Sequence, residues 1–162
     1  MMHEASMRQA IAAAHKSQKD GGMPIGAVLI NRHSGDVFSM GESIVSLTKD
    51  PTSHAEITCI RAACSTQQSD DLSDFILYCT LEPCQMCLSC AAWASVEHVY
   101  FGAYRKNVNP NLFETLHSTG DEAAAANMRL KTHHKMHVQG GILETACTAL
   151  LKEYENKNSW YT

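Results

Sequence analysis

The sequence predicts an α/β fold with a partly parallel sheet, and three observations lead to it. Short apolar runs rich in β-branched residues alternate with stretches of helical periodicity between Ile25 and Phe101. The later runs are separated by segments long enough for helical crossovers, which parallel strands require and hairpin partners do not. The length of 162 residues suits one domain, 1–162, that buries roughly 70% of the surface an unfolded chain exposes.

The elements follow in order. Glu4 to Lys19 is rich in strong helix formers, sets Met7, Ile11 and Ala14 at helical spacing and stops at Gly21-Gly22, so a first helix is expected there. Ile25 to Asn31 and a second run from Asp36 to Met40 flank Arg32-His33-Ser34-Gly35 and read as a hairpin. Pro51-Thr52-Ser53 precedes a helix that should start near His54, with Ile57, Ile60, Arg61 and Cys64 three and four apart. Phe75 to Leu81 reads as a buried strand, and Pro83 stops it while suiting the first turn of a helix from Gln85 to Ala94. His98 to Phe101 returns as a strand. Farther on, Asn107 to Asn111 is expected to be a loop, Leu112 to Leu116 one helical turn and Asp121 to Leu130 a helix. Lys135 to Val138 is expected as a last strand, and Gly140-Gly141 introduces a helix with Leu143, Cys147, Leu150 and Tyr154 on one face.

Composition narrows the function classes. Apolar residues make up 44% and charged residues 19%, the balance of a globular chain and not of a disordered one. A net charge of -4, from 13 Lys and Arg against 17 Asp and Glu, repels a phosphate backbone and disfavours nucleic acid as a partner. The one basic cluster, Arg129 to His137, reads as a solvated loop or helix end, with phosphate contact the alternative if the substrate were RNA. The N-terminus carries no basic segment followed by an apolar run, and no stretch approaches the roughly 20 apolar residues that cross a bilayer. A cytoplasmic protein with no membrane partner is expected. Seven cysteines, an odd number spread through apolar segments, argue against a disulfide framework, and Cys59, Cys64, Cys79 and Cys147 read as small buried hydrophobes.

Two short motifs sit where helices follow: His54-Ala55-Glu56, and Pro83-Cys84-Gln85-Met86-Cys87. Neither is specific alone. Together they match the H-x-E…P-C-x-x-C signature of zinc deaminases. One imidazole and two thiolates fill three tetrahedral positions on Zn²⁺ and leave the fourth for water, as in a catalytic site. Cys84 and Cys87, three apart in a first helical turn, bring both sulfurs to one face. Glu56 is read as the proton carrier and not as a ligand. Ser53 and Glu56 also fit a capping box, which is the competing account of that glutamate. A structural Cys₃His site using Cys90 is a further alternative. Six helical residues advance about 9 Å, whereas two sulfurs on one zinc lie no more than about 4.6 Å apart, so Cys90 is placed in the core.

Over most of its length the sequence resembles the cytidine/deoxycytidylate deaminase superfamily. Within it, the sequence is similar to the branch of guanine deaminases, tRNA adenosine deaminases and fungal-type cytosine deaminases. The blocks that carry the resemblance are PIGAVLI at Pro24 to Ile30, DPTSHAEITCIRAA at Asp50 to Ala63, LYCTLEPCQMC at Leu77 to Cys87 and VYFGA at Val99 to Ala103. The resemblance implies a three-layer α/β/α fold around a mixed five-stranded sheet, and a homodimer. It assigns zinc to His54, Cys84 and Cys87 and proton transfer to Glu56. It assigns substrate contact to Ser43, Ala55 and Asn107. At the Ser43 position relatives usually place an Asn, whose amide both donates and accepts, and at the Asn107 position guanine deaminases place an Asp. The expected activity is hydrolytic deamination of a small amino-substituted heterocycle, guanine or a related nucleobase or nucleoside. The alternatives are tRNA adenosine deamination and a non-catalytic zinc-stabilised interaction domain.

Overall fold

The computed structural model describes residues 2–109 and 135–158. A first helix, α1 (Met2–Lys19), leads into the hairpin β1 (Gly26–Asn31) and β2 (Val37–Glu42). A single-turn helix α2 (Val45–Thr48) precedes α3 (Ala55–Gln67). Then come β3 (Phe75–Leu81), α4 (Gln85–Trp93), β4 (His98–Ala103), a 3-10 turn (Arg105–Asn107), β5 (His137–Gln139) and the helix α5 (Glu144–Lys157). The expected segments from 112 to 130 lie outside the described residues.

The five strands form one sheet in the order β2-β1-β3-β4-β5. The two β1 pairings are antiparallel, and β3–β4 and β4–β5 are parallel. The mixed five-stranded sheet implied by the resemblance is therefore present. Because β1 runs against its neighbours, its start lies at the same edge as the ends of β2, β3 and β4. That shared edge is where the functional residues gather.

Helices cover both faces. Gly26, Val28, Tyr78, Thr80, Tyr100 and Gly102 share one face by strand register, and α1 and α5 pack on it. Gly41 lies on the opposite face, under α3, which in turn packs on α4. The central strands are apolar throughout: Ala27, Val28, Leu29, Leu77, Tyr78, Cys79, Val99 and Phe101 are at most 1% exposed. This is the continuous hydrophobic pattern of strands covered on both sides.

Two glycines set how closely the helices sit. A Cβ on Gly26 would collide with Ala10 O and Ala14 N of α1, so only a hydrogen lets that helix approach. A Cβ on Gly41 would meet Ala55 O, and Cys59 N at 2.5 Å, in the first turns of α3. The edge strand β2 thus forms the footing of the helix that carries His54 and Glu56.

The single turn α2 has no apolar periodicity, which is why pattern reading passes over it. Strand β4 extends past Phe101 to Ala103 because pairing with β3 continues to Leu81↔Ala103, where Gly102 and Ala103 carry little strand preference of their own. Gly41→Ala is expected to lower stability by about 1–3 kcal/mol through overpacking. Thermal denaturation of the variant checks this, and an unchanged Tm would show that α3 yields without cost.

Candidate metal centre and active site

His54 and Cys84 occupy the same position in their helices. Each is the N-cap residue, with extended backbone (φ -67, ψ 156 for His54; φ -75, ψ 168 for Cys84), and neither side chain makes a capping hydrogen bond. Their carbonyls accept the first intrahelical bonds, from Thr58 N and Leu88 N. The side chains that would ordinarily cap instead turn toward each other. The capping box anticipated between Ser53 and Glu56 is absent, since Ser53 precedes the cap and its hydroxyl donates to Asp50 Oδ2 at 3.0 Å.

His54 Nδ1 lies 3.7 Å from Cys84 Sγ and 3.6 Å from Cys87 Sγ, and the two sulfurs are 3.6 Å apart. Ligand bonds of about 2.3 Å to sulfur and about 2.0–2.1 Å to nitrogen, at tetrahedral angles, require edges of about 3.8 Å and about 3.6 Å. The triangle therefore fits one zinc ion. Among the described residues these three form the one group of three or more His, Cys, Asp or Glu side chains close enough to share a metal, and Cys90 is not in it.

The thiols show what a cation does for the site. Hydrogen bonding with Cys87 holds the Cys84 thiol down to about 4, and the same contact, with burial, pushes Cys87 well above its usual range. The contact thus pushes the two thiols in opposite directions. A divalent cation lets both be thiolates.

Glu56 sits in the first turn of α3 and is 4% exposed. Burial, and then the negative charge at Cys84, raise its carboxyl above the usual range. A carboxyl so placed exchanges a proton near neutral pH more readily than an exposed one.

Residues 1–103 match the family defined by the cytidine and deoxycytidylate deaminase zinc-binding region. The chain belongs to this family. The family is zinc-binding, and His54, Cys84 and Cys87 could hold that metal. The chain is 33% identical over 158 residues to a chloroplastic tRNA(adenine(34)) deaminase of Arabidopsis thaliana, a match covering 93% of this chain and 12% of that protein. It is 38% identical over 104 residues to a guanine deaminase of Bacillus subtilis, covering 64% of this chain and 65% of that protein. The chain thus spans less than two thirds of either relative's length. A solved guanine deaminase structure from Nitrosomonas europaea superposes with a TM-score of 0.81 at 25% identity, covering 94% of this chain and 84% of that one. The cytidine deaminase-like α/β fold expected from the sequence is the fold of this family.

A cavity opens beside the metal-ligand triangle, with His54 and Cys84 in its lining. Its apolar lining includes Met23, Ile25 and Leu81, and His54, Ala55 and Glu56 also line it. Of the expected substrate contacts, Ser43 and Ala55 line it. Asn107 does not: its amide donates to Glu144 Oε1 at 3.2 Å and ties the 3-10 turn to the start of α5. Two lining residues, Glu82 and Arg105, were not singled out from the sequence for this role. The signal for Glu82 was its place immediately before Pro83-Cys84.

The loop before α3 is braced by Asp50. Its Oδ1 accepts from Thr52 N at 2.9 Å and from the Thr52 hydroxyl at 2.8 Å. The Thr52 backbone bond first, then the Thr52 and Ser53 hydroxyls, hold the Asp50 carboxyl below its ordinary value. A carboxyl with a depressed native pKa stabilises the fold above its unfolded value, about 3.9, and loses that contribution as pH falls through the native value. The stability difference between wild type and Asp50→Ala, followed by urea unfolding, is therefore expected to be full above about pH 4 and to fade in acid. A pH-independent difference would exclude the charge as its source.

Zinc binding is expected to stabilise the chain, by about 4 kcal/mol at a thousandfold excess over Kd. Chelation should lower Tm, and Cys87→Ala should purify with much less than one zinc per chain. Elemental analysis with thermal scans tests both, and a Tm indifferent to chelator would show that the triangle does not hold metal.

Proposed function

We propose that this chain is a zinc-dependent hydrolytic deaminase acting on a small amino-substituted heterocycle, guanine or a related nucleobase or nucleoside, with release of ammonia. The observation that carries the proposal is the juxtaposition of a zinc-sized His54-Cys84-Cys87 triangle with the buried Glu56, where His54, Cys84 and Glu56 line one cavity. The guanine deaminases among the relatives support the choice of ring. The reading extends to the whole chain, 1–162, as one deaminase domain, because β5 and α5 complete the same sheet that carries the site.

His54, Cys84 and Cys87 hold the zinc, which when bound supplies the Lewis acidity that makes water a nucleophile at neutral pH. Glu56 takes the proton released as water adds to the amino-bearing carbon. It passes that proton to the ring nitrogen, then takes the second water proton from the new hydroxyl and gives it to the departing amine, so that the ring gains an oxo group and ammonia leaves. The low-dielectric surroundings that raise the Glu56 carboxyl suit it to both directions of transfer. Met23, Ile25 and Leu81 give the ring an apolar slot. Ser43 and Ala55 lie where they can contact it.

A second reading, deamination of an adenosine in tRNA, is favoured by the match to the Arabidopsis tRNA deaminase along 93% of this chain. The net charge of -4 opposes it.

The test is ammonia release by zinc-loaded protein from guanine, adenine, cytosine, their nucleosides and a tRNA anticodon stem-loop. Glu56→Ala is expected to retain zinc and fold while losing about 10²- to 10⁴-fold or more of the activity. Turnover of the stem-loop alone, weakening steeply with salt, would replace the small-molecule reading by the tRNA one. A Glu56→Ala variant as active as wild type would remove Glu56 from the chemistry.

A further inference from the structure

Glu82 and Arg105 are the two charged side chains of the cavity that the proposed reaction leaves without a role. They reach it from the ends of neighbouring parallel strands. Glu82 directly follows β3, and its N–H donates to Ala103 O at 2.8 Å, prolonging the β3–β4 ladder. Arg105 follows β4 by two residues, and its backbone N–H donates to Glu82 Oε2 at 2.9 Å. One carboxylate oxygen is thereby pinned, which orients the group, while the carboxylate keeps further acceptor positions. Glu82 lies two residues before Cys84 yet stands outside the metal-ligand group.

A carboxylate only accepts hydrogen bonds, and a guanidinium only donates them. Both residues line the same cavity, where a carboxylate and a guanidinium together offer an acceptor and a donor. The complement of that pair is a ring edge with an N–H adjacent to a C=O, that is, a lactam. In a 2-amino-6-oxopurine the lactam N–H is bonded to the carbon that bears the amino group. A ring offering that carbon to Glu56 and the zinc triangle presents its lactam edge to the neighbouring wall. An aminopurine lacking the oxo group offers a ring nitrogen lone pair there, which faces the carboxylate acceptor against acceptor.

We propose that Glu82 and Arg105 are the specificity-determining pair of this pocket, selecting amino-heterocycles that carry a lactam edge over those that do not. The inference rests on the deaminase reading above and narrows its substrate to oxo-substituted rings.

Guanine and 2-aminopurine carry the same amino group at the same carbon and differ at this edge. Zinc-loaded wild type is expected to prefer guanine by about 10- to 100-fold in kcat/KM, the scale of hydrogen bonds to charged groups. In Glu82→Gln the one amide oxygen can keep the Arg105 N–H, which turns the NH₂ toward the cavity. The preference should then fall by about tenfold or more and move toward 2-aminopurine. Arg105→Gln should also reduce it, with Arg105→Lys retaining more of it than Arg105→Gln. A purely structural role would lower kcat/KM for both rings alike, so a ratio unchanged in Glu82→Gln and Arg105→Gln at full zinc content overturns the proposal. So does a wild type without preference for guanine. If neither purine is deaminated, the deaminase reading for free bases fails, and the pair is judged on binding by displacement of fluorescent 2-aminopurine with guanine. Tighter guanine binding that is lost in Glu82→Gln supports the pair, and equal binding overturns it.

Discussion

A helix begins with N–H groups that have no partner inside it, and the side chain at its N-cap ordinarily satisfies one of them. His54 and Cys84 stand at that position in α3 and α4, and neither caps. Both helices forgo that stabilisation, about 1 kcal/mol each, and direct the side chains to a shared point. Two helix starts aimed at one place also sum their positive dipole ends there, which favours thiolates and the ionised form of Glu56. Burial works the other way on Glu56. A zinc ion held by His54, Cys84 and Cys87 would reconcile these demands, its charge compensating two thiolates. The position of α3 on Gly41, the bracing of Asp50 and the ladder that brings Glu82 beside Arg105 all serve to keep those helix starts and the cavity between them in register.

Much of this was legible in the residues themselves, for local reasons. Phe75–Leu81 reads at both ends as the strand β3, because a dense apolar run stops at Glu82-Pro83. The starts of α3 and α4 are marked by the same residues that carry the chemistry, so the metal-ligand triangle follows from two short motifs and is found as a triangle. The Ser53–Glu56 capping box also fitted the sequence and does not form, since Asp50 draws the serine hydroxyl away. That choice belongs to the loop and is not visible in the four-residue pattern. Glu82 and Arg105 escaped notice for a different reason. They are 23 residues apart, and only the parallel pairing of β3 with β4 makes them neighbours. Asn107 was expected at the substrate, whereas its amide is engaged with Glu144, a residue 37 positions away.

The cavity draws on two kinds of position. His54, Glu56, Cys84 and Cys87 belong to helix starts, where backbone geometry is dictated by the first turn. Ser43, Glu82 and Arg105 come from just beyond the ends of β2, β3 and β4, and Met23 and Ile25 from just before β1. The four strand-end segments meet at one edge of the sheet because β1 runs antiparallel between its neighbours. The strand-end residues are joined to the helix starts through short connections, yet their side chains are not needed to hold metal or to carry the catalytic proton.

That division has a consequence for how such a molecule changes over generations. Under the proposed function, a substitution at Ser43, Glu82 or Arg105 would alter what the cavity accepts while leaving the reacting apparatus whole, whereas a substitution of Glu56 or a metal ligand would abolish turnover whatever is bound. Selection can therefore retain one set of residues and let the other drift. The relatives show what such drift permits: names as different as guanine deaminase and tRNA deaminase attach to proteins that share this chain's architecture or sequence. The sheet edge works as an interchangeable socket mounted on a fixed engine.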